Sequence, residues 1–358
     1  MKKSMLGYVF RGIEDARLEE LCIPKPTHGE AVLKVTLAAI CTTDIHILEG
    51  DFQIPPGRVL GHEFVGEIHE LSPDVEAYGY KVGDRVAVTA DTPCGVCDAC
   101  LGSTNGQGCR VNGSVSGFQL GCLRDGAHAE YVCIPYAATN MAKIPNELTD
   151  EQVLLVGDVV STGFAAAEIG GVRFGDTVMI YGQGPIGLAA TQATRLRGAG
   201  RIITVDSLPN RIDMSRRVGA DVVINYQETD PVEEIKRITD GRMADVALEV
   251  VGKQTTFENA LRSCRVGGTL SSIGNYGNKG HLILPLDGWW AGNGDITIYG
   301  TASPGGKDRS RRLMEMIRYK KVDFVPLITR TFNLDEIDNA YSFYRSSKDK
   351  AFKVAIKP

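Results

Sequence analysis

From about residue 176 the chain alternates strand-like and helix-like runs, and this alternation constrains the fold more than any other feature. TVMIYG leads into the helical PIGLAATQATRLRGAG, and RIITVDS into LPNRIDMSRRVGA. DVVINY, PVEEIKRITDG, ADVALEVVG, TTFENALRSCRVGG and TLSSIGN continue the series. Parallel strands need crossovers long enough to hold a helix, so repeated units of this size predict a doubly wound parallel sheet with helices on both faces, an α/β fold. The stretch before it reads differently. MLGYVF, AVLKVTLAAI, EFVGEIHEL, DRVAVTA and AEYVCIP are short apolar or alternating runs broken by Gly, Pro and Asp, which predicts a β-rich domain. The tail holds two helical stretches, KDRSRRLMEMIRYKK and LDEIDNAYSFYRSSK, then a strand-like FKVAIK expected to return to the first domain. A chain of 358 residues suits two domains.

Gly182, Gly184 and Gly187 form G-x-G-x-x-G directly after the strand TVMIY, with Pro185 and Ile186 opening the next helix. The motif alone is weak in a chain with 41 glycines, but its place between strand and helix gives each glycine a task. They allow a tight turn, close approach of the backbone to a pyrophosphate, and packing of helix on strand. Helix N–H groups then face the phosphates. Asp206 ends the strand RIITVD about 20 residues on, where a carboxylate accepts hydrogen bonds from a ribose and repels a 2′-phosphate. NAD is therefore expected rather than NADP. Arg211 is placed to touch the ribose or the phosphate. The plainer reading of Asp206 is a cap on the next helix.

The cysteines tell a second story. Four of the nine fall in Cys94, Cys97, Cys100 and Cys109, a C-x2-C-x2-C-x8-C pattern. Four thiolates on one short loop surround Zn²⁺ tetrahedrally and leave no open position, so such a site is structural. A local disulfide knot is the alternative, and Cys122 competes with Cys109 as fourth ligand; Cys109 is preferred. Cys41 in CTTDIH, with His62 and Glu63 in GHE, offers a thiolate and an imidazole of the kind zinc takes. On chemistry alone these three are equally compatible with core packing and a turn.

The net charge of -5 argues against nucleic acid or an acidic membrane surface as the main partner. No run of roughly 18 uncharged apolar residues appears, and the first twenty residues carry no signal-like apolar stretch, so no membrane span and a cytoplasmic location are expected.

Taken together, these residues resemble the zinc-containing medium-chain alcohol dehydrogenases. CTTDIH, GHEFVGEI, KVGDRV, the cysteine loop, GDVVSTGF and the GxGxxG with Asp206 occur in that family's order and at its separations, over nearly the whole chain. GDVVSTGF and LRGAGRII look closest to the bacterial secondary-alcohol (isopropanol-type) enzymes, and YVCIPYAATNMAKIP is similar to glutathione-independent formaldehyde dehydrogenases. The chain departs from the secondary-alcohol group in having Asp206, since many of those enzymes use NADP and lack that acid. Many also lack the four-cysteine loop, which here has one residue more between its third and fourth Cys than the commonest family spacing.

The resemblance implies a Rossmann domain over residues 161–299 and a GroES-like catalytic domain over 1–160 and 300–358. It implies two zinc ions per subunit and NAD. Cys41, His62 and Asp158 would hold a catalytic zinc, with Glu63 a mobile fourth ligand. Asp158 is supported only by the match at GDVVSTGF, and its plainer reading is a helix cap. Asp44 would orient His62, Thr43 would contact the substrate oxygen, His46 would carry a proton toward solvent, and Thr162 would lie near the nicotinamide. The implied reaction is reversible hydride transfer between NAD and a small, secondary alcohol or ketone. Polyol, threonine or aldehyde oxidation on the same framework is the alternative, and a zinc-free reductase or a zinc-scaffold interaction protein the more distant ones. Trp289, Trp290 and Tyr299 are candidates by position for pocket walls. A homo-oligomer, a tetramer rather than a dimer, is expected, with residues 282–302 continuing a sheet across subunits or simply forming its edge.

Overall fold

The computed structural model describes residues 3–102, 109, 117–277, 280–347 and 349–358. The contacts divide the chain into two compact units, Met1–Ser161 with Ser303–Pro358, and Thr162–Ala302.

In the first unit, β1 (Ser4–Gly12) and β2 (Asp15–Cys22) form an antiparallel pair. β3 (Ala31–Ile40), β4 (Glu63–Leu71), β5 (Arg85–Val88), β6 (Tyr131–Ile134) and β7 (Met141–Lys143) build most of a second sheet. β3 is its spine. Eight of its ten residues are buried, so AVLKVTLAAI is apolar nearly throughout instead of alternating. A helix, Thr42–Glu49, follows β3 at once and stops at Gly50 in the left-handed conformation. The sequence reading had no helix here.

In the second unit, β8 (Thr177–Tyr181), β9 (Arg201–Asp206), β10 (Val222–Asn225), β11 (Ala244–Glu249), β12 (Cys264–Ser272) and β13 (Thr297–Gly300) pair in the order β10-β9-β8-β11-β12-β13. Every pairing is parallel. β11 is buried throughout, and β8 and β9 are buried except at their first residues, as strands covered by helices on both faces must be. The helix Pro231–Ile238 begins on Asp230, whose carboxylate accepts the N–H groups of Val232 and Glu233. One boundary differs from expectation. The helix Gln254–Arg262 ends before Cys264, and CRVGG opens β12. Val266 and two glycines are poor helix formers, and pairing with β11 claims them.

The chain then returns to the first unit. β14 (Ile328–Asn333) and β15 (Lys353–Lys357) complete the sheet in the order β14-β15-β3-β4-β5-β7, with β6 on the other part of β3. FKVAIK thus docks antiparallel on β3 through Val354–Ile40, Ala355–Ala39 and Ile356–Ala38. No single described helix is long and apolar enough to cross a membrane.

Candidate active site

The junction between β3 and the helix Thr42–Glu49 sets the first group in place. Cys41 is the turn residue, and its N–H donates to Asp44 Oδ2 at 2.8 Å. The other oxygen of Asp44 faces Nδ1 of His62 at 3.4 Å. This leaves His62 Nε2 pointing away, 3.7 Å from Asp158 Oδ2. The same Asp158 oxygen lies 3.7 Å from Cys41 Sγ. Asp158 follows a 3-10 turn, Leu154–Gly157, and immediately precedes the helix Val159–Ile169. Glu63, the first residue of β4, supplies the fourth group, and the ligand atoms of Cys41, His62, Glu63 and Asp158 all lie within 4.8 Å of one another. A cation with ligands at 2.0–2.3 Å spaces neighbouring ligand atoms by about 3.5 Å, so the arrangement fits a four-coordinate zinc.

Two further observations support that fit. Glu63 is fully buried, and its Oε2 has no hydrogen-bond partner, an expensive state for a carboxylate oxygen unless a cation answers it. The donor set of one thiolate, one imidazole and two carboxylates is of the N, S and O kinds zinc accepts. Burial pushes the Cys41 thiol up in pKa. For Asp44 burial acts upward too, but His62 outweighs it and holds the carboxyl down at about 2. For His62 burial acts downward, and Asp44 with Cys41 more than reverse it. Asp44 is therefore ionised and orients the His62 ring through Nδ1, which leaves Nε2 on the side of Cys41 and Asp158, where a bound metal would take the place of its proton.

Lys353 is the partner that sequence reading missed. It lies on β15, 2 % exposed, and its ammonium pairs with Glu63 Oε1 and donates to the carbonyl of Ile40 at 3.2 Å. Burial pushes the Glu63 carboxyl up to about 7, with Lys353 acting against that rise. The only local signal was a lysine at each end of a short apolar strand, KVAIK, with nothing to mark Lys353 as the buried one. Phe118 also meets the His62 ring edge-on at 5.1 Å.

The remaining expected residues are distributed as follows. Thr43 Oγ1 lies 3.6 Å from Cys41 Sγ. His46 sits further along the same helix, with Nδ1 3.5 Å from Asp51 and 4.0 Å from Glu49, so it belongs to a separate, more exposed group. Thr162 opens the second unit. Trp289 packs on that unit's core, while Trp290 and Tyr299 are exposed.

The four cysteines converge as well. The Sγ atoms of Cys94, Cys97, Cys100 and Cys109 lie within 4.8 Å of one another. Cys94 and Cys100 are 3.9 Å apart, too far for a disulfide, and all four are free thiols. Cys122 lies elsewhere, its thiol donating to the carbonyls of Phe118 and Gln119, both at 3.3 Å. The Cys100 N–H is the main cause that lowers Cys97 to about 7, providing a thiolate near neutral pH. Cys109→Ser is expected to cut zinc content from two ions per chain to one and to lower the melting temperature by about 5–10 °C. Elemental analysis and calorimetry check this.

In the second unit, Gly182 takes φ 93 at the end of β8, and Gly184 precedes the helix Pro185–Leu196. A side chain on Gly187 would strike the Gly182 carbonyl at 1.9 Å, so only glycine lets the turn close. Asp206 ends β9 beside this turn. Its Oδ2 accepts the Gln183 N–H at 2.8 Å, and its Oδ1 accepts those of Ser207 and Leu208 at 2.8 and 3.1 Å. Arg211 Nη1 stands 3.6 Å from Asp206 Oδ2.

Fold and site define a metal-binding, dinucleotide-type dehydrogenase framework, and comparison with known proteins agrees. The model for the alcohol dehydrogenase GroES-like domain matches residues 27–146, and that for zinc-binding dehydrogenase matches 185–318. The chain is 42% identical over 371 aligned residues to an alcohol dehydrogenase of Cupriavidus necator, covering 100% of each. It is 34% identical to the NADP-dependent isopropanol dehydrogenase of Thermoanaerobacter brockii, over 99% of each chain. A zinc-dependent alcohol dehydrogenase from Streptococcus pneumonia superposes with a TM-score of 0.89 at 29% identity, over 99% of this chain and 98% of that one. The chain belongs to the zinc-containing medium-chain alcohol dehydrogenase family.

Proposed function

We propose that the chain is an NAD-linked, zinc-dependent dehydrogenase of small secondary alcohols and the corresponding ketones. The convergence of Cys41, His62, Glu63 and Asp158 on one point carries this reading. Cys41, His62 and Asp158 hold the metal, and Glu63, whose second oxygen already engages Lys353, is the exchangeable fourth ligand. Bound there, zinc supplies Lewis-acid polarisation of a substrate oxygen. Thr43, close to Cys41, accepts the substrate hydroxyl's hydrogen bond and hands on its own hydroxyl proton as it takes that of the substrate, and His46 releases a proton to solvent, a task suited to a partly exposed imidazole. Asp44 keeps His62 in the ligating tautomer. Cys94, Cys97, Cys100 and Cys109 hold a second, structural zinc.

Asp206 supports NAD over NADP. Three backbone N–H groups hold its carboxylate at the end of β9, where it accepts from ribose hydroxyls and repels a 2′-phosphate. The glycine turn and the N-terminus of the helix Pro185–Leu196 receive the pyrophosphate, with Arg211 alongside and Thr162 toward the nicotinamide. Among the described residues β13 is an edge strand, and Leu282, Ile283, Leu286 and Tyr299 are exposed in the same unit, which supports a homo-oligomer, a tetramer, whose mass light scattering measures.

Primary alcohols, secondary alcohols, diols and aldehydes, each assayed with NAD and with NADP, test the assignment. Short secondary alcohols with NAD are expected to give the highest kcat/KM. A clear preference for diols or aldehydes overturns the substrate, and a preference for NADP overturns the cofactor.

A further inference from the structure

Glu249, the last residue of β11, is fully buried and is used by nothing described so far. Its Oε1 accepts from the Val251 and Gly252 N–H groups at 2.9 and 2.8 Å and from the Thr256 hydroxyl at 2.7 Å. Its Oε2 accepts from the Tyr276 hydroxyl at 2.7 Å and the Ser272 hydroxyl at 3.3 Å. One carboxylate thus ties the loop after β11 to the loop after β12. Both loops are packed to the limit around it. A side chain on Gly274 would come within 2.6 Å of Glu249 Oε2 and 2.2 Å of the Gly252 nitrogen. One on Gly252 would come within 2.1 Å of the Asn275 carbonyl.

The location gives this clamp a task. Strand order reverses between β8 and β11, and doubly wound sheets bind dinucleotides across the carboxyl ends at that point. Asp206 ends β9, on one side of the reversal, and so takes the adenosine half. The ends of β11 and β12 lie on the other side, under the nicotinamide half. The tied loop also touches the glycine turn, since Val251 Cγ2 is 2.5 Å from where a Gly182 side chain would begin.

We infer that Glu249 is a positioning residue for the nicotinamide half of the cofactor, holding the 250–253 and 273–276 loops in one fixed arrangement. This rests on the dinucleotide-site reading above. The residue touches no cofactor atom itself; it acts through the Val251–Gly252 backbone and the Tyr276 loop. Burial and the Glu249 charge both push the Tyr276 hydroxyl up in pKa, so it remains the donor across the working range.

The test compares NADH with ADP-ribose, which lacks the nicotinamide, by titration calorimetry on the zinc-loaded chain. Glu249→Gln keeps the shape and loses the charge that five donors share; NADH is expected to bind about tenfold more weakly, with ADP-ribose within about twofold of wild type. Tyr276→Phe removes one donor from a half-buried ring and keeps the test open if the first variant folds poorly. It is expected to weaken NADH about threefold and to spare ADP-ribose. Equal weakening of both ligands marks a purely structural role and overturns the inference, as does unchanged NADH affinity in both variants. Failure of the wild-type chain to bind either ligand would instead bring down the dinucleotide site itself, and the inference with it.

Discussion

Replacing Cys41 with alanine is expected to remove one of two zinc ions per chain and to lower kcat/KM by at least about a thousandfold. The thiolate cannot be replaced from nearby. Cys122 is committed to two carbonyls, Asp44 already serves His62, and one oxygen of Glu63 serves Lys353. Only His62 and Asp158 would remain as fixed ligands beside the exchangeable Glu63, one fewer than the three protein groups that hold a catalytic zinc while its fourth position is open. The fold is expected to survive, because the Cys41 N–H to Asp44 bond is made by the backbone. Metal analysis beside activity separates the two zinc sites, since the cysteine loop keeps its ion in this variant. Wild-type turnover with one zinc per chain would defeat the assignment of Cys41.

Asp206→Gly is expected to move the ratio of kcat/KM for NAD to that for NADP by about a hundredfold toward NADP. Two effects act in the same direction. The variant loses a charged acceptor for the ribose hydroxyls, and it frees Arg211, now 3.6 Å from that carboxylate, to meet a 2′-phosphate. Arg211→Ala in the Asp206→Gly background is then expected to lose most of the gained NADP activity. An unaltered cofactor ratio in Asp206→Gly would show that the ribose lies elsewhere.

The dinucleotide unit was largely legible in the chain because its signals are local. Buried parallel strands read as continuous apolar runs, and the glycine turn sits between a strand and a helix within a dozen residues. Even there CRVGG was read as helix, because pairing with β11 lies outside any local window. The cysteine loop was legible for the same reason, as spacing along one segment. The other metal group was not. Cys41 and His62 are twenty-odd positions apart and Asp158 more than a hundred, so local periodicity says nothing about their meeting; family resemblance alone suggested Asp158. Lys353 was invisible because its partner lies 290 residues away. Glu249 was hidden inside an apolar strand, where a terminal acid reads as the start of a turn. For Lys353 and Asp158 the informative contact is long-range, and for Glu249 it is the reach to Ser272 and Tyr276 on the next strand and loop.

The interleaving of the two units has a consequence for biosynthesis. Residues 162–302 are contiguous, so their sheet has all its strands as soon as that stretch has left the ribosome. The sheet bearing Cys41 and Glu63 has a gap at the edge of β3 until β15 is made, and the ammonium that neutralises Glu63 arrives only with that strand. A nascent chain therefore completes its nucleotide-type sheet before the sheet that carries Glu63, and that acid stays without its ammonium until β15 has emerged.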